Sequence, residues 1–259
     1  MDPARTTAHG QRPIGAFIIG DEILSGKRQD RHLAHTIAAL RARGLALSWA
    51  FYLGDDRERL EAEFRRSMSS GAVVFSFGGI GATPDDHTRQ AAARAAGVPL
   101  ERHAAAVALI EAQFGGSAYP KRVLMADLPR DAGLIPNPVN RVPGFSVGDH
   151  HFFPGFPDMA WPMLDWVLAE CYPEWRAEPQ VELAIRVSGA GESQLIDLME
   201  RVVRDHPACK LFSLPSLKPV RTIELGVRGL RDDCGPAIVA LQDGVTAAGF
   251  SWERMADRE

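Results

Sequence analysis

The sequence is poor in features that mark whole classes of protein. Cysteine is the first: Cys171, Cys209 and Cys234 are the only three in 259 residues. They are odd in number, far apart and in no CxxC arrangement, which argues against a disulfide framework or a cysteine-held zinc ribbon. Reduced thiols in a cytoplasm are expected, each acting as a small buried hydrophobe. Long apolar runs are missing too, and none approaches the roughly 18 residues of a membrane helix. The opening MDPARTTAHGQRP is polar, without the apolar core of a secretion signal, so residues 1–13 read as a flexible tail. There is also no basic block. The formal net charge is −4, with both signs scattered along the chain, and nothing matches the cationic track that follows a nucleic-acid backbone. These absences predict a cytoplasmic protein with neither membrane nor nucleic acid as partner.

What is present is alternation. GAFIIG (15–20) reads as a buried strand, followed by a helical DRHLAHTIAALRARG with Leu33, Ile37 and Leu40 on one face. LALSWAFYL is a second strand, and DDRERLEAEFRRSMSSG a helix carrying Leu60, Phe64 and Met68 at i, i+4 and i+8. AVVFSF is a third strand, feeding a glycine-rich loop and then DDHTRQAAARAAG as a helix. Strand–helix repetition of this kind predicts a mostly parallel sheet covered on both faces, a three-layer α/β domain. Ligands then bind beyond the carboxyl ends of the strands, at the loops GDEILSG, LGDD and FGGIGATPDD. Short strands and prolines fill 119–155, and DMAWPMLDWVLAECY closes the domain at about residue 172. After a linker, residues 180–259 show a strand, a helix, two strands and a helix, a smaller α+β domain.

FSFGGIGATPDDHT (75–88) admits two readings. As scaffold, Thr83 caps a helix, Pro84 takes its first position, and Asp85 and Asp86 complement the helix dipole. As chemistry, Gly78, Gly79 and Gly81 between a strand and a helix form a backbone cradle for phosphate. The aspartates repel a bare phosphate unless a divalent cation such as Mg²⁺ lies between them, with Asp85 and Asp86 as ligands. Lys27 follows Gly26 without P-loop spacing, so no lysine clamp is available. His32 and His35 on one helix face, and the pair His150–His151, lack the three or four convergent partners of a zinc site and read as solvated. His87 reads as a surface residue one turn into the helix, although a ligand contact or acid–base role is open to it. Trp161 and Trp166 read as core, with Trp161 alternatively flooring a pocket that stacks a flat ring. The apolar stretch FPGFPDMAWPMLDW is large enough to predict a homo-oligomer, most simply a dimer.

Several stretches together resemble the MoaB/Mog-type molybdopterin-binding domain and, more closely, the amino-terminal region of the competence/damage-inducible protein A family. They are IGDEILSG (19–26), LGDDRERL (53–60), FGGIGATPDDHT (77–88), NPVNRVPGF (137–145) and FPGFP (153–157), with GAGESQL (189–195) in the second domain. The resemblance implies a site for a small phosphorylated ligand, a molybdopterin-like pterin or a nucleotide diphosphate, around Gly20, Asp21, Ser25, Gly78, Gly79, Gly81, Thr83, Pro154 and Gly155. It implies Asp55 and Asp86 as catalytic residues. Relatives hydrolyse ADP-ribose at its diphosphate, and Mog-type enzymes adenylylate molybdopterin, both as attack at phosphorus helped by a metal. The chain departs from the family at Asp30-Arg31-His32, at Asn140-Arg141-Val142, and at Met159 and Trp161, where a glutamate and a lysine are usual. Those departures leave three expectations side by side: a metal-dependent pyrophosphatase, a binding or regulatory protein that keeps the pocket without the chemistry, or a molybdopterin adenylyltransferase-like enzyme of molybdenum cofactor biosynthesis.

Overall fold

The computed structural model describes residues 12–216 and 221–257. The chain divides into two compact units, with the break between Arg176 and Ala177. Residues 1–11 of the expected tail lie outside the described residues, but Arg12 and Pro13 are held: Arg12 pairs with Asp149, and Pro13 O accepts from Val73 N at 2.9 Å.

The first unit runs β1 (Ile14–Ile19), α1 (Asp21–Leu24), α2 (His32–Arg41), β2 (Trp49–Leu53), α3 (Arg57–Ser69), β3 (Val73–Phe77) and α4 (Thr88–Ala96). It continues through β4 (Leu100–Arg102), α5 (Ala104–Phe114), β5 (Asp127–Pro129), β6 (Gly133–Ile135), β7 (Gly144–Val147), β8 (His150–Phe153) and α6 (Pro157–Glu170). The main sheet has the order β2-β1-β3-β8-β7-β6, and β4 pairs with β5 separately. Strands β2, β1, β3 and β8 are parallel, while β7 and β6 return as antiparallel hairpins.

Side-chain alternation explains why both faces are covered. Phe17, Val74 and Phe152 face a core closed by Leu60 and Phe64 of α3, Ala91 and Ala92 of α4, and Ile110 of α5. Ile18, Phe75, Phe77 and Phe153 face a second core closed by Leu40 of α2 and Met163, Leu164 and Val167 of α6. The fold is the three-layer, mostly parallel α/β arrangement. Helix α5 is unassigned in the sequence reading, because an alanine-rich stretch shows no narrow apolar stripe.

Two expectations are corrected. The stretch Thr83–Asp86 is not a helix start: α4 begins at Thr88, after His87, and the four residues form a turn in which Asp86 N donates to Thr83 O at 3.1 Å. The proposed capping direction is reversed, since Thr83 N donates to Asp86 Oδ2 at 2.8 Å. The histidines are not solvated either. His32, His150 and His151 are buried, and His35 is partly buried. His150 meets Ser67 Oγ at 2.7 Å, and burial lowers its pKa to about 4. His151 bridges Ser146 Oγ and Tyr172 OH, each at 2.8 Å, and Tyr172 OH donates to Asp149, the partner of Arg12. Imidazole suits the His151 position because its flat ring stacks on Phe75 while both nitrogens find partners.

The second unit contains β9 (Val181–Ser188), α7 (Ile196–Asp205), β10 (Lys210–Ser216), β11 (Thr222–Gly229), α8 (Arg231–Ala247) and β12 (Ser251–Arg254). Its antiparallel sheet, in the order β10-β11-β9-β12, packs Ile185, Val187, Leu225 and Val227 against Leu198 and Val202 of α7 and Ala237, Leu241 and Val245 of α8. Its last strand, with the sequence SWER, is short and charged, and carries little apolar signal.

Candidate functional site

Parallel pairing places the carboxyl ends of β2, β1, β3 and β8 along one edge of the sheet. The loops that follow them begin at Gly54, Gly20, Gly78 and Pro154. Backbone bonds lace these loops together: Gly20 N donates to Leu53 O and Gly78 N to Phe153 O, each at 3.0 Å. The first two loops also clamp each other. Asp21 N donates to Asp55 Oδ2 at 2.9 Å, and Asp55 N donates to Asp21 Oδ1 at 3.3 Å.

The third loop leaves β3 with two glycines at positive φ, 105° for Gly78 and 67° for Gly79. Part of the glycine requirement is steric. A Cβ on Gly78 would lie 2.2 Å from Ile19 O, and one on Gly79 would lie 2.4 Å from Thr88 Oγ1. Thr88 secures the turn, donating from Oγ1 to Gly78 O and from N to Gly79 O, each at 3.0 Å. Among the described residues, the amides of Gly79, Ile80, Gly81 and Ala82 meet no acceptor. Four consecutive N–H groups without acceptors at a sheet edge have the makings of an anion nest.

Arg89 is missing from the sequence reading. It is the second residue of α4, 4% exposed, and donates from Nη2 to Gly81 O at 2.7 Å and from Nη1 to Leu124 O and Asp127 O. It fixes the loop and sets a buried cation beside it, where no lysine is supplied. Its only sequence signal is a charge next to an alanine-rich run, in a helix that carries a second arginine, Arg94.

The carboxylates divide. Asp86 is turned inward on Thr83, accepting from both its N–H and its hydroxyl. Asp85 is exposed. Asp55 is half-buried, and its pKa is raised by desolvation first and then by Asp21, Glu22 and Asp85. Among the described residues, no three His, Cys, Asp or Glu side chains are grouped so as to hold a metal by themselves. Ser25 sits apart, at the end of α1, with its hydroxyl on Glu22 O at 3.4 Å. Gly155 joins the edge from β8: its carbonyl meets His32 Nε2 at 3.2 Å, and a Cβ on it would lie 3.5 Å from Gly78 Cα.

The three departing stretches meet one another. Arg31 lies over the Trp161 ring at 5.0 Å, His35 stacks on the same indole at 4.4 Å, and Asn140 Nδ2 donates to Met159 Sδ at 3.4 Å. Trp161 is therefore engaged by α2 and does not present a bare floor for a flat ligand.

Comparison with known proteins agrees with this architecture. Residues 15–174 match the family described as "Probable molybdopterin binding domain". The chain belongs to that family. A CinA-like protein of Citrifermentans bemidjiense is 31% identical over 198 residues, 73% of this chain and 48% of that protein. A protein of Caldivirga maquilingensis is 27% identical over 233 residues, covering 83% of this chain and 88% of the relative. The crystal structure of CinA from Thermoplasma acidophilum superposes with a TM-score of 0.57 at 27% identity, covering 64% of this chain and all of that one. The chain spans about half the length of the CinA-like relatives it matches. No helix among the described residues is long and apolar enough to cross a membrane.

Proposed function

We propose that the first unit binds a small ligand bearing a diphosphate, a molybdopterin-like pterin or a nucleotide, with its phosphates on the amides of Gly79–Ala82. The observation that carries this reading is the run of four N–H groups without an acceptor beside buried Arg89. Gly20, Asp21, Thr83, Pro154 and Gly155 form the walls. Ser25 contributes through the shape of the first loop. The family membership supports a pterin-type ligand.

The enzymatic form of the reading is hydrolysis of a phosphoanhydride of the ADP-ribose type, in which water oxygen attacks one phosphorus and the bridging P–O bond breaks. Asp55, with its raised pKa, takes the proton from the attacking water. A divalent cation such as Mg²⁺ would be held by Asp85 and Asp86, with phosphate oxygens completing its sphere. When bound, the cation would neutralise phosphate charge. Asp86 also holds the turn, accepting from Thr83 N and Oγ1. A second reading, binding without turnover, is favoured by α6: Met159 and Trp161 bring neither a carboxylate nor an amine to the edge. We also take the protein as a cytoplasmic homo-oligomer.

Amide spectra of ¹⁵N-labelled protein test the cradle. Gly79, Ile80, Gly81 and Ala82 signals move on addition of inorganic pyrophosphate; static signals would overturn the site. Turnover is tested by incubating ADP-ribose with Mg²⁺, Mn²⁺ or Co²⁺. If the protein is an enzyme, Asp86→Asn loses most of this turnover while its melting temperature changes little. Ligand binding with no product under any of the three metals establishes the second reading.

A further inference from the structure

The second unit brings two thiols together. Cys209 lies in the turn between α7 and β10, its N–H on His206 O at 3.0 Å, and Cys234 lies in the first turns of α8. Their sulfurs are 3.7 Å apart, although 25 residues separate them in sequence. Cys234 is fully buried, whereas Cys209 is partly exposed and within reach of a solute. Gly229, at the end of β11, faces the pair without a side chain: a Cβ on it would lie 3.3 Å from Cys234 Sγ and 3.6 Å from Cys209 Cα. Cys171, the remaining thiol, is exposed and belongs to the first unit.

As packing, two touching thiols do what alanine or valine would do; what they add is chemistry. A disulfide needs a sulfur separation of about 2 Å. Sulfurs already in contact reach it by side-chain rotation, with Cys209 on a turn that can yield and Cys234 on a helix that holds. The two cysteines are unequal. Burial raises the pKa of both, that of Cys234 to about 12, while contact with the Cys234 thiol favours the Cys209 thiolate. Cys209 is therefore the sulfur that ionises first and meets an oxidant, and Cys234 is the sulfur that resolves the adduct.

We propose that Cys209 and Cys234 form a modification site, converted by a small-molecule disulfide such as oxidised glutathione into a reversible bond that ties the start of β10 to α8. The Cys209 thiolate attacks one sulfur of oxidised glutathione, whose S–S bond breaks, and one glutathione leaves. Cys234 gives up its proton, attacks the Cys209 sulfur and releases the second glutathione. Two cysteine protons and two electrons end on the two glutathione thiols. The full chain, held in glutathione buffers from reducing to oxidising, then acid-quenched, alkylated and peptide-mapped, tests this. In the most oxidising buffer at least half of the chains carry a Cys209–Cys234 cross-link, which dithiothreitol removes. Cys171→Ser forms the same cross-link. Cys234→Ala, which keeps a small apolar residue in the core, stops at a glutathione adduct on Cys209, and Cys209→Ala leaves Cys234 unmodified in the folded protein. A parent in which both thiols stay reduced throughout, in which Cys209 collects glutathione without closing on Cys234, or in which the bond forms only in urea, overturns the proposal.

Discussion

At the scale of single residues, Gly79 and Asp55 separate architecture from chemistry. Gly79 has a positive φ and would press any Cβ onto Thr88 Oγ1. A left-handed conformation costs a non-glycine residue about 1–2 kcal/mol before any clash. Gly79→Val is therefore expected to destabilise the first unit measurably in urea, ligand present or not, and loss of binding in that variant would not by itself reveal a cradle. Asp55 gives the opposite sign. Its carboxyl is harder to ionise in the folded protein than in the unfolded chain, so its charge opposes folding once it forms. Asp55→Asn retains an acceptor for Asp21 N and should melt higher than the parent at pH 7. That gain shrinks as pH falls through the raised pKa, because the parent carboxyl is then protonated too. Thermal melts between pH 4 and 7 check both the sign and the trend.

At the scale of elements, the alternation of strands and helices was readable because β1 and β3 are continuous apolar runs and α3 carries a clean apolar stripe. The edge with the glycine loops followed from that order. What escaped was anything fixed by partners distant in sequence. Thr83-Pro84-Asp85-Asp86 has the composition of a helix start, yet Thr88 is anchored to Gly78 and Gly79, so the helix waits until residue 88. Arg89 looks like a surface charge until the carbonyls of Gly81, Leu124 and Asp127 close around it. The histidines of β8 are of the same kind, and they carry a pH dependence. Both titrate near 4 when folded, against an ordinary value of 6.5. The unfolded chain takes up their protons first as pH drops, so the first unit loses stability from about pH 6.5 down to about 4, by roughly 3 kcal/mol for each histidine. Urea denaturation at pH 7.5 and pH 5 measures this, and a flat profile would contradict it.

For the whole molecule, the expected reason for self-association has changed. The stretch FPGFPDMAWPMLDW does not lie open: Phe153, Ala160, Met163 and Leu164 are buried in the first unit, and Phe156 is its exposed large hydrophobe. Exposed Phe51 and Tyr52 lie instead on β2, the edge strand of the main sheet, with exposed Leu24 close to the loop that follows it. An uncovered edge strand with aromatic side chains is a pairing surface. Light scattering is expected to show a dimer at micromolar concentration, and Phe51→Lys to shift it to monomer. A monomeric parent would remove the oligomer from the reading.

The hydrogen-bonded chain from Ser146 through His151, Tyr172 and Asp149 to Arg12 gathers the first and last described turns of the first unit onto one hairpin. Arg12 precedes β1 and Tyr172 follows α6, so backbone enters and leaves this unit at the sheet edge opposite the glycine loops. A module with adjacent ends behaves like a plug with both wires at the back. It is expected to tolerate fusion, insertion into another chain, or relinking of its ends with new termini opened in a surface loop, since none of these operations crosses the edge that carries the glycine loops.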